Sequence, residues 1–486
     1  MTTNPLLIDL YQLTMAQGYF REGMQEAQAS FTYSFREHPF KGGFAVFAGL
    51  YEFGNHLENW SFSTEDIQWL SSLKAADGTV LFGKDFLEYL KKLQVDQLEI
   101  SAVSEGSIVF AGEPLLRVTG SLIVTQLLET TLMNRLNFET LIATKAARCY
   151  IAAGGDPVLE FGLRRAQGPD GGISASRAAY IGGCSATSNL EAGRKFGLPV
   201  AGTHAHSWVM AHTSEEEAFE SWTRSAANNS ILLVDTYNSE KGIEQAVKAG
   251  AALEARGGTF AGVRLDSGDL AWLSRRARKM LDSVGLEHAK IYASNNLDEH
   301  TILSLKSQGA MIDSWGVGTR LATGGDQSAL GGVYKMTAMR PSPTDSWEPK
   351  IKVSDQSIKT SIPGILAVRR FLDYKGRPVG DMIYDLNNPP AGGAEVTIVD
   401  PRDVTRQKNF DAEMDSIELL KPFFRGGSLV QLQNDIHEIR ENCLANLAVL
   451  DKSHQRFMRP HLYPVGLERN LFEKRLEMIT RHKGVS

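Results

Sequence analysis

Cysteine is almost missing from this chain: three residues in 486, Cys149, Cys184 and Cys443, with no C-x-x-C spacing. That argues against a disulfide framework or a zinc knuckle and fits a reducing, cytoplasmic setting. Also missing is any apolar run of about eighteen residues, the length that would suggest a membrane span. The stretch from Met1 to Leu13 carries no Lys or Arg ahead of its apolar residues, so no targeting signal is expected either. Basic charge is not in excess. Lys and Arg total 51 against 57 Asp and Glu, a formal net charge of -6, so no field draws nucleic acid or anionic lipid over the whole surface. Fixed-period repeats and low-complexity tracts are lacking as well. What is present is the composition of an ordinary globular protein, 42% hydrophobic and 22% charged, in a chain long enough for two domains.

Leu6, Leu10, Tyr11 and Leu13 recur at helical spacing, and Ala29, Phe31, Tyr33 and Phe35 then alternate with polar residues as in a half-buried strand. Ser63 to Asp66 reads as a helix start, Asp85 to Leu93 as a second amphipathic run, and Ile123 to Ala153 as a largely buried helix. From Pro157 to Gly318 short apolar strands alternate with amphipathic helices such as Lys241 to Ala255 and Leu270 to Val284. The expected strands are Val158–Phe161, Val200–Thr203, Ile231–Val234, Ala261–Leu265, Ile291–Ala293 and Ile312–Val317, a pattern that predicts a parallel sheet, open or closed into a barrel. Beyond Lys335 the texture is Pro-rich and polar, with a β-like Glu395 to Val399 and a tail, Asp415 to Ser486, helical in parts.

Polar residues gather where the expected strands end: Arg164 and Arg165, His206, Asp235, Arg264 with Asp266, Ser294 with Asn295, and Gly316 with Gly318. Convergence at one edge is the arrangement of a barrel's C-terminal face. His204 and His206 lie two apart, which on a strand would put both on one face and make an H-x-H metal pair conceivable. None of the other expected strand ends supplies another histidine, however, and Asp235 is placed to fix an imidazole tautomer instead. Arg264 and Asp266 alternate onto one side ahead of the Ser267-Gly268 turn, a set suited to a magnesium-bound phosphate or a ribose diol; Asp269 reads as a helix cap. Gly316-Val317-Gly318-Thr319, at the last strand end, sits where phosphate cradles occur. Phe161 offers a ring for stacking and Arg164 a guanidinium for a carboxylate.

With these residues assembled, the chain resembles the nicotinate phosphoribosyltransferases. The likeness runs through Ile8 to Met15, Glu160 to Gln167, Gly202 to Trp208, Val234 to Asn238, Arg264 to Asp269, Ser294 to Glu299 and Gly316 to Arg320. It implies an α/β fold: an irregular (β/α) barrel of the type II phosphoribosyltransferases over 141–339, and a smaller α/β domain built from both chain ends, 1–140 with 340–486. It also implies a homodimer with shared active sites, joining nicotinate to phosphoribosyl pyrophosphate with ATP hydrolysis and magnesium, in NAD salvage. Carried onto this chain, His206 is the histidine phosphorylated by ATP and Asp235 the residue that orients it. Phe161 stacks on the pyridine, with Tyr11 of the partner subunit opposite. Arg164 lies at the carboxylate and phosphate side, Arg264, Asp266 and Ser267 at ribose and pyrophosphate. Ser294, Asn295, Gly316, Gly318 and Thr319 surround the 5'-phosphate, and Lys335 reaches across the dimer. No fixed protein metal site is expected.

The turn from Gly182 to Asn189 often carries an acid in this family, and an aspartate there holds the amide in nicotinamide-using relatives; here it holds none. A bound carboxylate then meets no like charge from that turn, which favours nicotinate. Competing readings are a phosphoribosyltransferase for nicotinamide or quinolinate, an H-x-H metal hydrolase, and a regulatory binder of an NAD precursor.

Overall fold

The computed structural model describes residues 4–356, 359–391, 393–430 and 435–484. The chain divides into two compact units, Met1–Thr140 with Ala329–Ser486, and Leu141–Ser328.

In the discontinuous unit the expected strand near Ala29 to Phe35 forms as Gln28–Phe35, between antiparallel neighbours Leu116–Ser121 and Gly332–Arg340. The second neighbour corrects the expected boundary at 339. Pairing from Phe35 with Gly332 to Gln28 with Arg340 places that whole strand, Lys335 included, in this unit. The unit built from both ends is also the larger of the two, because the later chain adds strands that its polar texture did not reveal. Leu366–Leu372 and Pro378–Asp385 pair within a six-stranded sheet. The tail is helical over Ile436–Val449 and Arg469–Lys483, but it also supplies strands Ser416–Glu418, Lys421–Arg425 and Val465–Glu468. Its residues 431–434 and 485–486 lie outside the described range. Early and late chain meet in a buried polar cluster. Arg370 donates to Asp381 at 2.9 Å and 2.6 Å and to the carbonyl of Ile108 at 2.9 Å. The Tyr463 hydroxyl donates to Asp381 at 2.9 Å, and burial beside Asp381 holds Glu113 well above the usual carboxylate range.

The continuous unit is built on six parallel strands: β1 (Val158–Glu160), β2 (Ala186–Thr187), β3 (Ile231–Leu233), β4 (Gly262–Leu265), β5 (Lys290–Ser294) and β6 (Ser314–Val317), in the order β2-β1-β6-β5-β4-β3. Their apolar residues read as near-continuous runs because helices such as Ser239–Ala255 and Leu270–Asp282 cover the sheet. Asp269 caps the second of these, accepting from the Trp272 amide at 2.9 Å.

One expected strand is not there. Val200–Thr203 shrinks to a single bridge between Val200 and Thr187, with Thr187 and Ala201 amides bonded across it at 3.0 Å each. Toward β3 the link is made by side chains. Asn229 donates to the Gly202 carbonyl at 2.7 Å, Thr203 to the Ile231 carbonyl, and the Leu233 amide donates to His204 Nε2 at 3.2 Å. The ring is irregular at this seam because the segment leaves extended geometry to start the helix His206–Met210.

His38 is used in the same way, accepting the Ala111 amide through Nε2 at 3.1 Å. Both rings must be neutral to accept, and burial lowers each to about 4 from the ordinary 6.5. The unfolded chain therefore takes up protons first as pH falls, so this stabilisation is complete above about pH 6.5 and is lost towards pH 4, at up to about 1.4 kcal/mol per pH unit for each ring. Thermal unfolding across that window should show a falling midpoint, and His204→Gln should flatten the fall; a midpoint indifferent to pH would contradict the neutral-acceptor assignment.

Candidate active site

Parallel strands point their C-terminal ends the same way, so Phe161, Asp235, Asp266, Ser294 and Gly316 come to one edge of the sheet. Along β4, Val263 and Leu265 are fully buried while Arg264 between them is not, which turns Arg264 to the same side as Asp266.

His206 stands at the first position of its helix with its side chain 42% exposed. Its Nδ1 lies 3.2 Å from Thr236 Oγ1 and its Nε2 3.9 Å from Asp266 Oδ2. Asp235 comes close without that hydrogen bond: one of its oxygens accepts from Ser267 Oγ at 2.5 Å, and the other is buried without a partner among the described residues. The ring's hydrogen-bond partner is thus the neighbouring Thr236, which sequence reasoning passed over although it follows Asp235 directly. Ser294 donates to Asp266. Glu215 was also missed; it opens the helix Glu215–Ser225, and burial with the nearby Asp235 charge raises its pKa.

The H-x-H pair does not form on one face. The ring of His204, 5% exposed, is taken up by the Leu233 amide and lies edge-on to Trp222 at 4.9 Å. No fixed protein metal site is expected from the sequence, yet His206, Asp235 and Asp266 bring ligand atoms within 4.8 Å of one another. The guanidinium of Arg264 faces this group; burial lowers its pKa, Asp266 and Asp235 pull the other way, and Arg164 repels it. Its Nε is buried and has no partner among the described residues, a donor suited to an incoming anion. Arg164 itself is exposed, on the short helical turn Leu163–Arg165.

Gly316 is where it is for packing. A Cβ there would lie 2.7 Å from the Phe161 ring, and one at Gly318 would lie 3.2 Å from the Phe161 carbonyl. Asn295 and Asn296 turn the chain after β5 with φ of 125° and 45°. Glu160, buried behind Phe161, accepts from Ser176 at 2.8 Å, Thr187 at 2.6 Å and the Gly162 amide. One oxygen of this carboxylate reaches the turn that carries no acid of its own, at Thr187, and the other accepts from the Gly162 amide.

Tyr11 and Lys335 belong to the other unit. The Tyr11 hydroxyl donates to Glu129 at 3.1 Å, and burial followed by that carboxylate pushes its pKa up to about 12. Lys335 donates to the Tyr334 carbonyl at 3.0 Å; burial lowers its pKa, Glu129 opposes this, and Lys352 and Arg36 add to it. It lines a cavity of about 110 Å³ with Arg36, Lys359, Arg402 and Arg475 and no carboxylate.

Three family models cover most of the chain: the N-terminal domain of nicotinate phosphoribosyltransferase over residues 6–137, the nicotinate phosphoribosyltransferase family over 158–383, and its C-terminal domain over 367–475. The chain belongs to the nicotinate phosphoribosyltransferase family. It is 39% identical over 476 residues to the nicotinate phosphoribosyltransferase of Bacillus subtilis (strain 168), covering 97% of this chain and 94% of that one. With the Homo sapiens enzyme of that name identity is 33%, over 96% and 95% of the two chains. The crystal structure of human nicotinic acid phosphoribosyltransferase superposes with a TM-score of 0.81 at 30% identity, covering 97% of this chain and 99% of that one. The nicotinate-nucleotide pyrophosphorylase of Pyrococcus furiosus shares the fold, with a TM-score of 0.68 at 21% identity over 91% and 94% of the chains. Among the described residues no helix is long and apolar enough to cross a membrane.

The approach of Gly316 to Phe161 is testable by itself. Gly316→Ala should displace the ring and cost about 1–3 kcal/mol in chemical denaturation, and Phe161→Leu in the same chain should recover part of that loss. A Gly316→Ala variant as stable as the parent, with Phe161 unmoved, would show that the contact is not tight.

Proposed function

We propose that this chain is a nicotinate phosphoribosyltransferase of NAD salvage, joining nicotinate to phosphoribosyl pyrophosphate to give nicotinate mononucleotide and pyrophosphate, with ATP hydrolysed through phosphorylated His206. The observation that carries this reading is the half-exposed His206 ring, held at Nδ1 by Thr236, with Nε2 at the rim of Asp235, Asp266 and Arg264. When Nδ1–H donates to Thr236, the lone pair is left on Nε2, the form a phosphoryl acceptor requires.

Displacing pyrophosphate at C1 of ribose builds positive charge on the sugar and negative charge on the leaving group. Arg264, with its unpartnered Nε, is the leaving-group cation. Ser294, Asn295, Gly318 and Thr319 receive the 5'-phosphate, and Phe161 stacks on the pyridine with Arg164 on its carboxylate. Magnesium fits the oxygens of Asp235 and Asp266, the first of which includes a buried atom without a partner among the described residues; when bound, it would supply positive charge to the diphosphate. Asp235 then acts on His206 through charge in the shared rim rather than through a direct hydrogen bond. Two readings from the resemblance complete the proposal: a homodimer in which Tyr11 of the partner subunit faces the pyridine, and a cationic contribution from Lys335. Both residues lie under the influence of Glu129, which supports their acting together. A cytoplasmic location accords with the scarcity of cysteine, three residues that are all buried and in no disulfide.

Nicotinate is favoured over nicotinamide because the Gly182 to Asn189 turn carries no acid of its own, and Glu160, which reaches it at Thr187, already accepts a hydrogen bond at each oxygen. Product formation should therefore be fast with nicotinate and stimulated by ATP; an ATP-indifferent preference for nicotinamide would overturn the substrate assignment. Incubation with labelled ATP should place acid-labile, base-stable phosphate on the protein, absent in His206→Ala. Equal labelling of that variant would remove His206 from the mechanism. Asp235→Asn should slow labelling by about tenfold or more, the effect of losing one close charge interaction, without a change in fold.

A further inference from the structure

The seam beside β3 holds a residue that the proposed chemistry does not use. At Leu233 the backbone N–H points away from β4, and Leu233 is fully buried. A buried amide without an acceptor costs on the order of 1–3 kcal/mol. No strand supplies that acceptor, since the segment beyond Val200 makes no ladder with β3. His204 supplies it, with Nε2 at 3.2 Å. Two residues further along one segment is His206, and three further along the other is Thr236, whose hydroxyl meets His206 Nδ1 at 3.2 Å. Beyond Thr203 the same two stretches of backbone are therefore joined in the core by His204 and at the rim by Thr236.

We infer that His204 is a positioning residue for the phosphoryl-accepting step: by standing in for a missing backbone ladder it fixes the register of the His206 segment against β3, so that Thr236 can hold His206 in the tautomer with Nε2 free. The inference rests on the phosphohistidine reading above. The ring is suited to this because it is buried and packs against Trp222 and Phe219, with ring centroids at 4.9 Å and 6.3 Å. Thr203 and Asn229 tie only the start of the segment, to the Ile231 end of β3 and to the loop before it, which leaves the stretch that leads into His206 to be held by His204. What His204 alone adds is the contact nearest the reactive ring.

The test uses the full-length protein with labelled ATP. His204→Phe keeps the ring packing and removes the acceptor; His204→Gln places a carbonyl oxygen near the position of Nε2. Labelling of His206 should slow by about tenfold in the Phe variant, the equivalent of about 1.4 kcal/mol, and recover most of that in the Gln variant, while the KM for nicotinate stays near that of the parent. Thr236→Val, which cuts the outer contact and leaves the core untouched, should slow labelling comparably and add little to His204→Phe. Histidine 15N resonances should show His206 losing its single tautomer in both. Parent-like labelling in His204→Phe, equal losses in the Phe and Gln variants, or additive losses in the double variant would each overturn the inference. If the parent itself takes no label, the phosphohistidine reading fails. The His206 tautomer then still decides the positioning claim, because an unchanged tautomer in His204→Phe refutes it.

Discussion

Parallel alignment of six short strands is the constraint on which the site depends. Each of these strands is three to five residues long apart from the two-residue β2, too short to carry chemistry along its length. Because all run the same way, their C-terminal ends share an edge, and residues between Phe161 and Thr319 in sequence become neighbours. Ser294 opposite Gly316, and Arg264 between Leu233 and Tyr292, are consequences of register rather than of any local preference.

The rim so formed is dense in charge and incompletely self-satisfied. Ser267 occupies one oxygen of Asp235 and Ser294 one of Asp266, while the second Asp235 oxygen and Arg264 Nε are left without protein partners among the described residues. Buried polar atoms in that state are costly to a fold. They are understandable where a charged ligand supplies what the protein leaves open. Glu160 shows the opposite treatment: both oxygens of its carboxylate accept from the protein, from Ser176, Thr187 and the Gly162 amide, behind Phe161.

Much of this was legible in the sequence. Five of the six expected barrel strands formed within a few residues of their predicted bounds, Asp269 proved to be a helix cap, and the helix start expected at Ser63 to Asp66 is there, with Ser63 and Asp66 bonded in a capping box. These features are local. Periodicity, caps and turns depend on neighbours a few residues away. Less legible were the strands past Leu366, which carry Arg370 and Asp381, charges buried because they meet each other across the sheet. The basic cavity around Lys335 was hidden for a similar reason, since Arg36, Lys359, Arg402 and Arg475 are separated by up to hundreds of residues.

By itself, the sequence determined the alternating architecture, the family and the set of polar residues at the strand ends, because each is written in spacing or in motifs of adjacent residues. Only the tertiary structure decided how those residues divide their work. It turned His204 inward to serve the Leu233 amide and left His206 outward, gave the imidazole hydrogen bond to Thr236 instead of Asp235, and showed Gly316 to be space for Phe161. Two histidines two apart look alike in a sequence. They part company here because the strand expected to carry them breaks into a helix, and a buried amide with no strand beside it takes the nearer ring.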